Sequence, residues 1–133
     1  SAFQARQCGT SDMQKFDFDG AVTMHRSWKM RFHLALDAIR SPAYDTQPLG
    51  DDAQCPLGQW LAANAGELGR FESARELLAI HHDFHQRSES IADDIRMGRI
   101  VHLNDRAIAE FSDLSEKIEI LLLRLKADVQ GAG

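Results

Sequence analysis

His81 and His85 stand four residues apart in a stretch of helical periodicity, so both imidazoles face one side of one helix, at a separation that a single metal ion bridges. They share that side with Leu77, Leu78, Phe84, Ser88, Ala92 and Ile95. Burying an unpaired imidazole in such a stripe is costly, and a shared metal removes the cost. His25 holds an apolar position of an earlier helical stripe, three residues before Trp28. A lone core histidine is usually just hydrogen-bonded, but three at core positions on two helices call for a common partner. Cys55 directly precedes Pro56, and proline favours the first helical position, so the thiol falls at the N-cap of a short helix. Free N–H groups and the positive dipole end there suit a thiolate, as metal ligand or as reactive sulfur. Taken alone, Cys55 is equally readable as a small packing residue. With the histidines it makes one sulfur and three nitrogens, the donor set of tetrahedral zinc. Four protein donors leave no position for a catalytic water, so the site reads as structural or sensory.

The elements that must position these residues are helical. From Asp17 to Arg40, Ala21, His25, Trp28, Phe32, Ala35 and Ile39 recur in steps of three and four. Ser41 to Gln54 carries Pro42, Pro48 and Gly50 and reads as a loop crossing one end of a bundle. A short helix follows from Pro56 to about Ala65, then a glycine turn from Gly66 to Gly69. A long amphipathic helix spans Phe71 to Arg96 and closes at Gly98, and a last one spans Val101 to Val129. That last stripe is Leu103, Ala107, Phe111, Leu114, Ile118, Leu121 and Leu125. No strand-like alternation occurs, so the expected fold is all-α, an antiparallel four-helix bundle with one short crossing helix. Residues 1–15 are expected to be linker or added residues, 16–129 the bundle, and 130–133 a tail.

A chain of 133 residues supports one core. Its net charge of −5, with basic residues scattered along the chain, leaves no footprint for nucleic acid. The longest apolar run, Ile120 to Leu123, is far short of a membrane span. No signal peptide is recognisable, and the expected location is cytoplasmic. In that compartment Cys8 and Cys55 are not expected to pair. His82, about 100° around the helix from His81, is expected at the surface, as are His33 and His102. Asp37, Asp83, Asp51 and Asp52 read as solvated, unless one of them orients a ligand imidazole.

The segments D-F-D-G-A-V-T-M-H-R-S-W (Asp17 to Trp28), C-P-L-G-Q-W-L (Cys55 to Leu61) and H-H-D-F-H (His81 to His85) occur in this order and resemble the chemoreceptor zinc-binding (CZB) family. The resemblance covers about Phe16 to Leu125. It implies a helical bundle holding one Zn2+ through His25, Cys55, His81 and His85, the same set that the residues suggest by themselves. It places Gly58, Trp60 and Trp28 in close packing and backbone approach rather than ligation. It further implies a cytoplasmic bacterial signalling module, homodimeric, and fused to or associated with a chemoreceptor signalling domain or a diguanylate cyclase (GGDEF) domain.

The function expected from both readings is a non-enzymatic sensory domain that signals through zinc occupancy or oxidation of Cys55, and the resemblance implies hypochlorous acid as one such oxidant. The alternative is a helical dimerisation module with a purely structural zinc. A zinc hydrolase is disfavoured, because His82, Asp83 and Phe84 stand where an H-E-x-x-H helix carries its glutamate. A di-iron bundle is disfavoured by the lack of any Glu-x-x-His pair.

Overall fold

The computed structural model describes residues 15–102 and 106–132, and every described regular element is helical. In chain order these are α1 (Phe18–Arg26), α2 (Trp28–Ile39), α3 (Gln47–Gly50), a 3-10 turn (Asp52–Gln54), α4 (Pro56–Ala63), α5 (Ala65–Leu68), α6 (Glu72–Arg96) and α7 (Arg106–Ala132). Cys8 and Leu103 lie outside the described residues.

The long helices run side by side because their apolar stripes are one-sided. Ser73 at the start of α6 donates to Asp128 near the end of α7 at 2.6 Å, and Arg87 pairs with Glu110 at 3.6 Å, so α6 and α7 are antiparallel. The same test sets α1 antiparallel to α7, through Lys126 with Asp19 and Arg26 with Glu119. Phe111, fully buried on α7, joins the three long rods: Phe84 of α6 stacks on it at 4.4 Å and Trp28 of α2 meets it edge-on at 4.6 Å. The short pieces α3, the 3-10 turn and α4 all pack against α6.

The helix expected over Asp17 to Arg40 is two helices, broken at Ser27. Ser27 Oγ and the Arg31 guanidinium donate to the carbonyl of Met24 at 3.1 and 2.6 Å, and Ser115 Oγ of α7 donates to the carbonyl of His25 at 3.1 Å. Side chains inserted into the backbone ladder are a recognised cause of such breaks. The loop expected over Ser41 to Gln54 contains α3 and the 3-10 turn. The glycine turn is partly α5, which Leu68 anchors in the core. Leu78, expected inside, is 49% exposed, because it sits one residue off the α6 stripe at the edge of α5.

Gly98 ends α6 as expected, with φ +77°, and Arg99 and Ile100 return their N–H groups to the carbonyl of Asp94. A side chain in this left-handed conformation costs about 1 kcal/mol. Gly98→Ala is therefore expected to lower the thermal midpoint by roughly 3–4 °C for a chain of this length. An unchanged midpoint in a calorimetric scan would contradict a left-handed stop at Gly98.

Candidate metal centre

His25 reaches the site from the last turn of α1, directly before the break at Ser27. Cys55 is the N-cap of α4 with Pro56 at the first helical position, as its sequence context requires. His81 and His85 project from successive turns of α6. The four expected residues come together, with one donor atom from each lying within 4.8 Å of all the others. His81 Nε2 is 3.1 Å from His25 Nε2 and 3.0 Å from His85 Nε2, and Cys55 Sγ is 3.7 Å from His25 Nε2. A tetrahedral zinc with ordinary bond lengths separates its nitrogens by about 3.3 Å and nitrogen from sulfur by about 3.6 Å. The spacing fits. His25 and His81 are 2% and 0% exposed and Cys55 is buried, while His85 is half-buried.

The outer nitrogens decide the tautomers. His25 Nδ1 lies 2.7 Å from the carbonyl of Ala21, and His85 Nδ1 lies 3.0 Å from the carbonyl of Leu49. A carbonyl only accepts, so both Nδ1 atoms donate, and in the neutral rings both Nε2 atoms present lone pairs. These lone pairs converge with His81 Nε2 on one point. His81 can donate to only one of them, so the arrangement is repulsive unless a cation sits between the nitrogens. The chemistry of the donor set fits zinc. His81 Nδ1 is buried with no hydrogen-bond partner among the described residues.

Burial pushes His81 down to about 2 and His25 to about 4; neighbouring imidazoles add to both effects, and the Ala21 hydrogen bond partly opposes the second. His85 is also lowered, first by burial, against the Leu49 hydrogen bond. Histidines held neutral below their usual 6.5 cannot take up the protons that the unfolded chain takes up. Stability of the metal-free protein is therefore full above about pH 6.5 and falls as pH drops from there towards the folded values. Urea unfolding at pH 7.5 and 5.5 checks the sign, and a midpoint that holds or rises on acidification would contradict it.

The carbonyls that orient His25 and His85 were not legible as individual atoms, although a ring bonded to its own helix four residues back is a local pattern for His25. Leu49 has no such signal, since its carbonyl arrives with α3. The four aspartates do other things: Asp51 caps the 3-10 turn through Ala53 N–H, Asp52 lies 3.5 Å from exposed His82, Asp83 pairs with Arg87 at 3.3 Å, and Asp37 is exposed. His33 and His102 are exposed, as expected. Gly58 does stand at a close approach, since a Cβ there would lie 1.8 Å from the backbone oxygen of Asp52. Trp28 packs on Phe111, and Trp60 stacks on Phe16 at 4.2 Å.

Among the described residues, no helix is long and apolar enough to cross a membrane. No curated protein and no solved structure gives a significant match. The family model described as the chemoreceptor zinc-binding domain matches residues 25–92, a span that begins at His25 and contains Cys55, His81 and His85. With half the chain matched and the four donors gathered inside that span, the protein belongs to the chemoreceptor zinc-binding domain family.

Proposed function

We propose that this chain is a zinc-binding sensory domain of a bacterial signal-transduction protein, in which His25, Cys55, His81 and His85 ligate the ion. The observation that carries the reading is the convergence of one ring nitrogen from each of three histidines and Cys55 Sγ within 4.8 Å of one another. Four protein donors argue for a closed centre without a catalytic water. The ligands come from α1, the start of α4 and α6, so bound metal ties three separate elements to one point. Loss of the ion unties them, and the long helices carry the change to an attached output domain, a chemoreceptor signalling domain or a diguanylate cyclase. The architecture is read as a four-helix bundle whose fourth side is segmented, which leaves the sulfur ligand on a short element that can move. Exposed Met30 and Leu34, one turn apart on α2, offer apolar surface for a homodimer.

Two events would release the ion. Acid protonates the imidazoles that must be neutral to ligate. Hypochlorous acid converts the Cys55 thiolate to sulfenic acid, RS− + HOCl giving RSOH + Cl−, which removes the sulfur donor. The test is to treat zinc-loaded protein with stoichiometric hypochlorous acid while following zinc release with a chromogenic chelator and helix protection by hydrogen exchange. The expected result is release matched to Cys55 oxidation, with loss of protection in α1 and α4. Zinc removal that leaves the protection of every helix unchanged would reduce the role to a purely structural zinc in an interaction module.

A further inference from the structure

His85 takes its orientation from a carbonyl that belongs to another element. His25 donates Nδ1–H to Ala21 on its own helix, whereas His85 donates to Leu49 of α3, 36 residues away in sequence. That carbonyl is backbone, so it meets His85 only where α3 itself is held. A helix of four residues does not hold a place by its own hydrogen bonds. Instead α3 is fastened to α6 at both ends. At its end the Gln86 carboxamide donates to the Gly50 carbonyl at 3.0 Å, and the approach is so close that a Cβ on Gly50 would lie 2.8 Å from Glu89 Oε1. At its start the Thr46 hydroxyl donates to Asp93 Oδ1 at 2.7 Å. Thr46 is 7% exposed and is the N-cap of α3. An N-cap threonine ordinarily bonds the free N–H groups of its own helix. This one makes no such bond and turns its hydroxyl to α6.

We propose that Thr46 and Asp93 are positioning residues of the zinc site: their hydrogen bond fixes α3, and with it the Leu49 carbonyl, on His85 Nδ1, so that the Nε2 lone pair of His85 faces the other donors. The inference rests on the zinc reading above. Asp93 stands about two helical turns beyond His85 on α6, and Arg96, 3.5 Å from the same Oδ1, steadies the carboxylate on its own helix. A carboxylate thus orients a ligand imidazole at one remove, through a hydroxyl and a backbone carbonyl. Partners that hold a ligand histidine in place govern metal affinity nearly as strongly as some ligands do.

The test measures zinc affinity of the full chain by competition and, in excess chelator, the proton–nitrogen correlation spectrum of the histidine rings, which tells which ring nitrogen carries the proton. Thr46→Val and Asp93→Ala are each expected to lower zinc affinity about 10–100-fold, and the double variant no further than either alone. In all three the protonated-Nδ1 signature of His85 is lost while that of His25, whose acceptor lies on its own helix, stays. Thr46→Ser and Asp93→Asn keep the hydroxyl donor and the oxygen acceptor, and are expected to match the parent in both readouts. Ser73→Ala removes a bond of the same kind between α6 and α7, and is expected to lower the thermal midpoint without moving zinc affinity or either ring signature. Parent-like affinity or an intact His85 signature in Thr46→Val, or an equal loss of affinity in Ser73→Ala, would overturn the proposal. A parent chain that binds no zinc would overturn the zinc reading itself, and the ring signatures in chelator would still decide whether Thr46 and Asp93 hold His85.

Discussion

His81→Leu is expected to stabilise the metal-free protein by about 1–2 kcal/mol while removing its zinc binding. The two effects share one cause. His81 is fully buried, its Nδ1 has no partner among the described residues, and its Nε2 faces two other ring nitrogens at 3.1 and 3.0 Å. A buried polar atom without a partner costs about 1–3 kcal/mol. Leucine has similar volume and packs beside Leu77 and Phe84 without that cost, as buried polar clusters replaced by apolar residues often do. With metal present the order reverses, because the histidine whose nitrogen touches both of its neighbours is missing. Zinc affinity is expected to fall by at least about a thousandfold, since second-shell changes alone cost 10–100-fold. Urea unfolding in chelator, with a zinc competition titration, reads both effects. A metal-free variant markedly less stable than the parent would mean that His81 is a packing residue rather than one held in tension for an ion.

Gly58→Ala is the second large effect. The new Cβ would lie 1.8 Å from the backbone oxygen of Asp52 and 2.7 Å from its carbonyl carbon, a clash that no rotamer relieves. The 3-10 turn Asp52–Gln54 must then move, and it leads directly into Cys55. Overpacking of this kind costs roughly 1–3 kcal/mol. The displaced sulfur is expected to weaken zinc binding by about 10–100-fold, the scale of a disturbed ligand support. Gly66→Ala is the control: it lies within α5 with nothing near its Cβ position, and is expected to gain up to about 1 kcal/mol. Thermal midpoints and zinc affinities of the two variants separate the readings. Equal behaviour would show that the close approach at Gly58 does not position Cys55.

The four donors were legible because each carries a local signal. His81 and His85 are spaced for one helical face, His25 breaks an otherwise apolar stripe, and Cys55 is followed by Pro56. The long helices were legible for the same reason, since their stripes repeat over many turns. What stayed hidden depends on contacts between distant residues. The break at Ser27 rests on Arg31 reaching back to Met24 and on Ser115 arriving from α7, and neither contact disturbs the apolar period. The segment from Ser41 to Gln54 looked like loop because proline and glycine punctuate it. Its folding into α3 brings Leu49 to His85 and the Gly50 carbonyl to Gln86. Leu78 was misplaced because leucine reads as core wherever the period tolerates it, while its position beside α5 leaves it half in solvent.

The central claim is that these four side chains hold one zinc. Metal analysis of protein purified without added zinc, joined to X-ray absorption at the zinc edge, tests it directly. One zinc per chain is expected, with three nitrogens at about 2.0–2.1 Å and one sulfur at about 2.3 Å, and with the sulfur scattering lost in Cys55→Ser. Protein without zinc, or zinc with no sulfur in its shell, would contradict the claim.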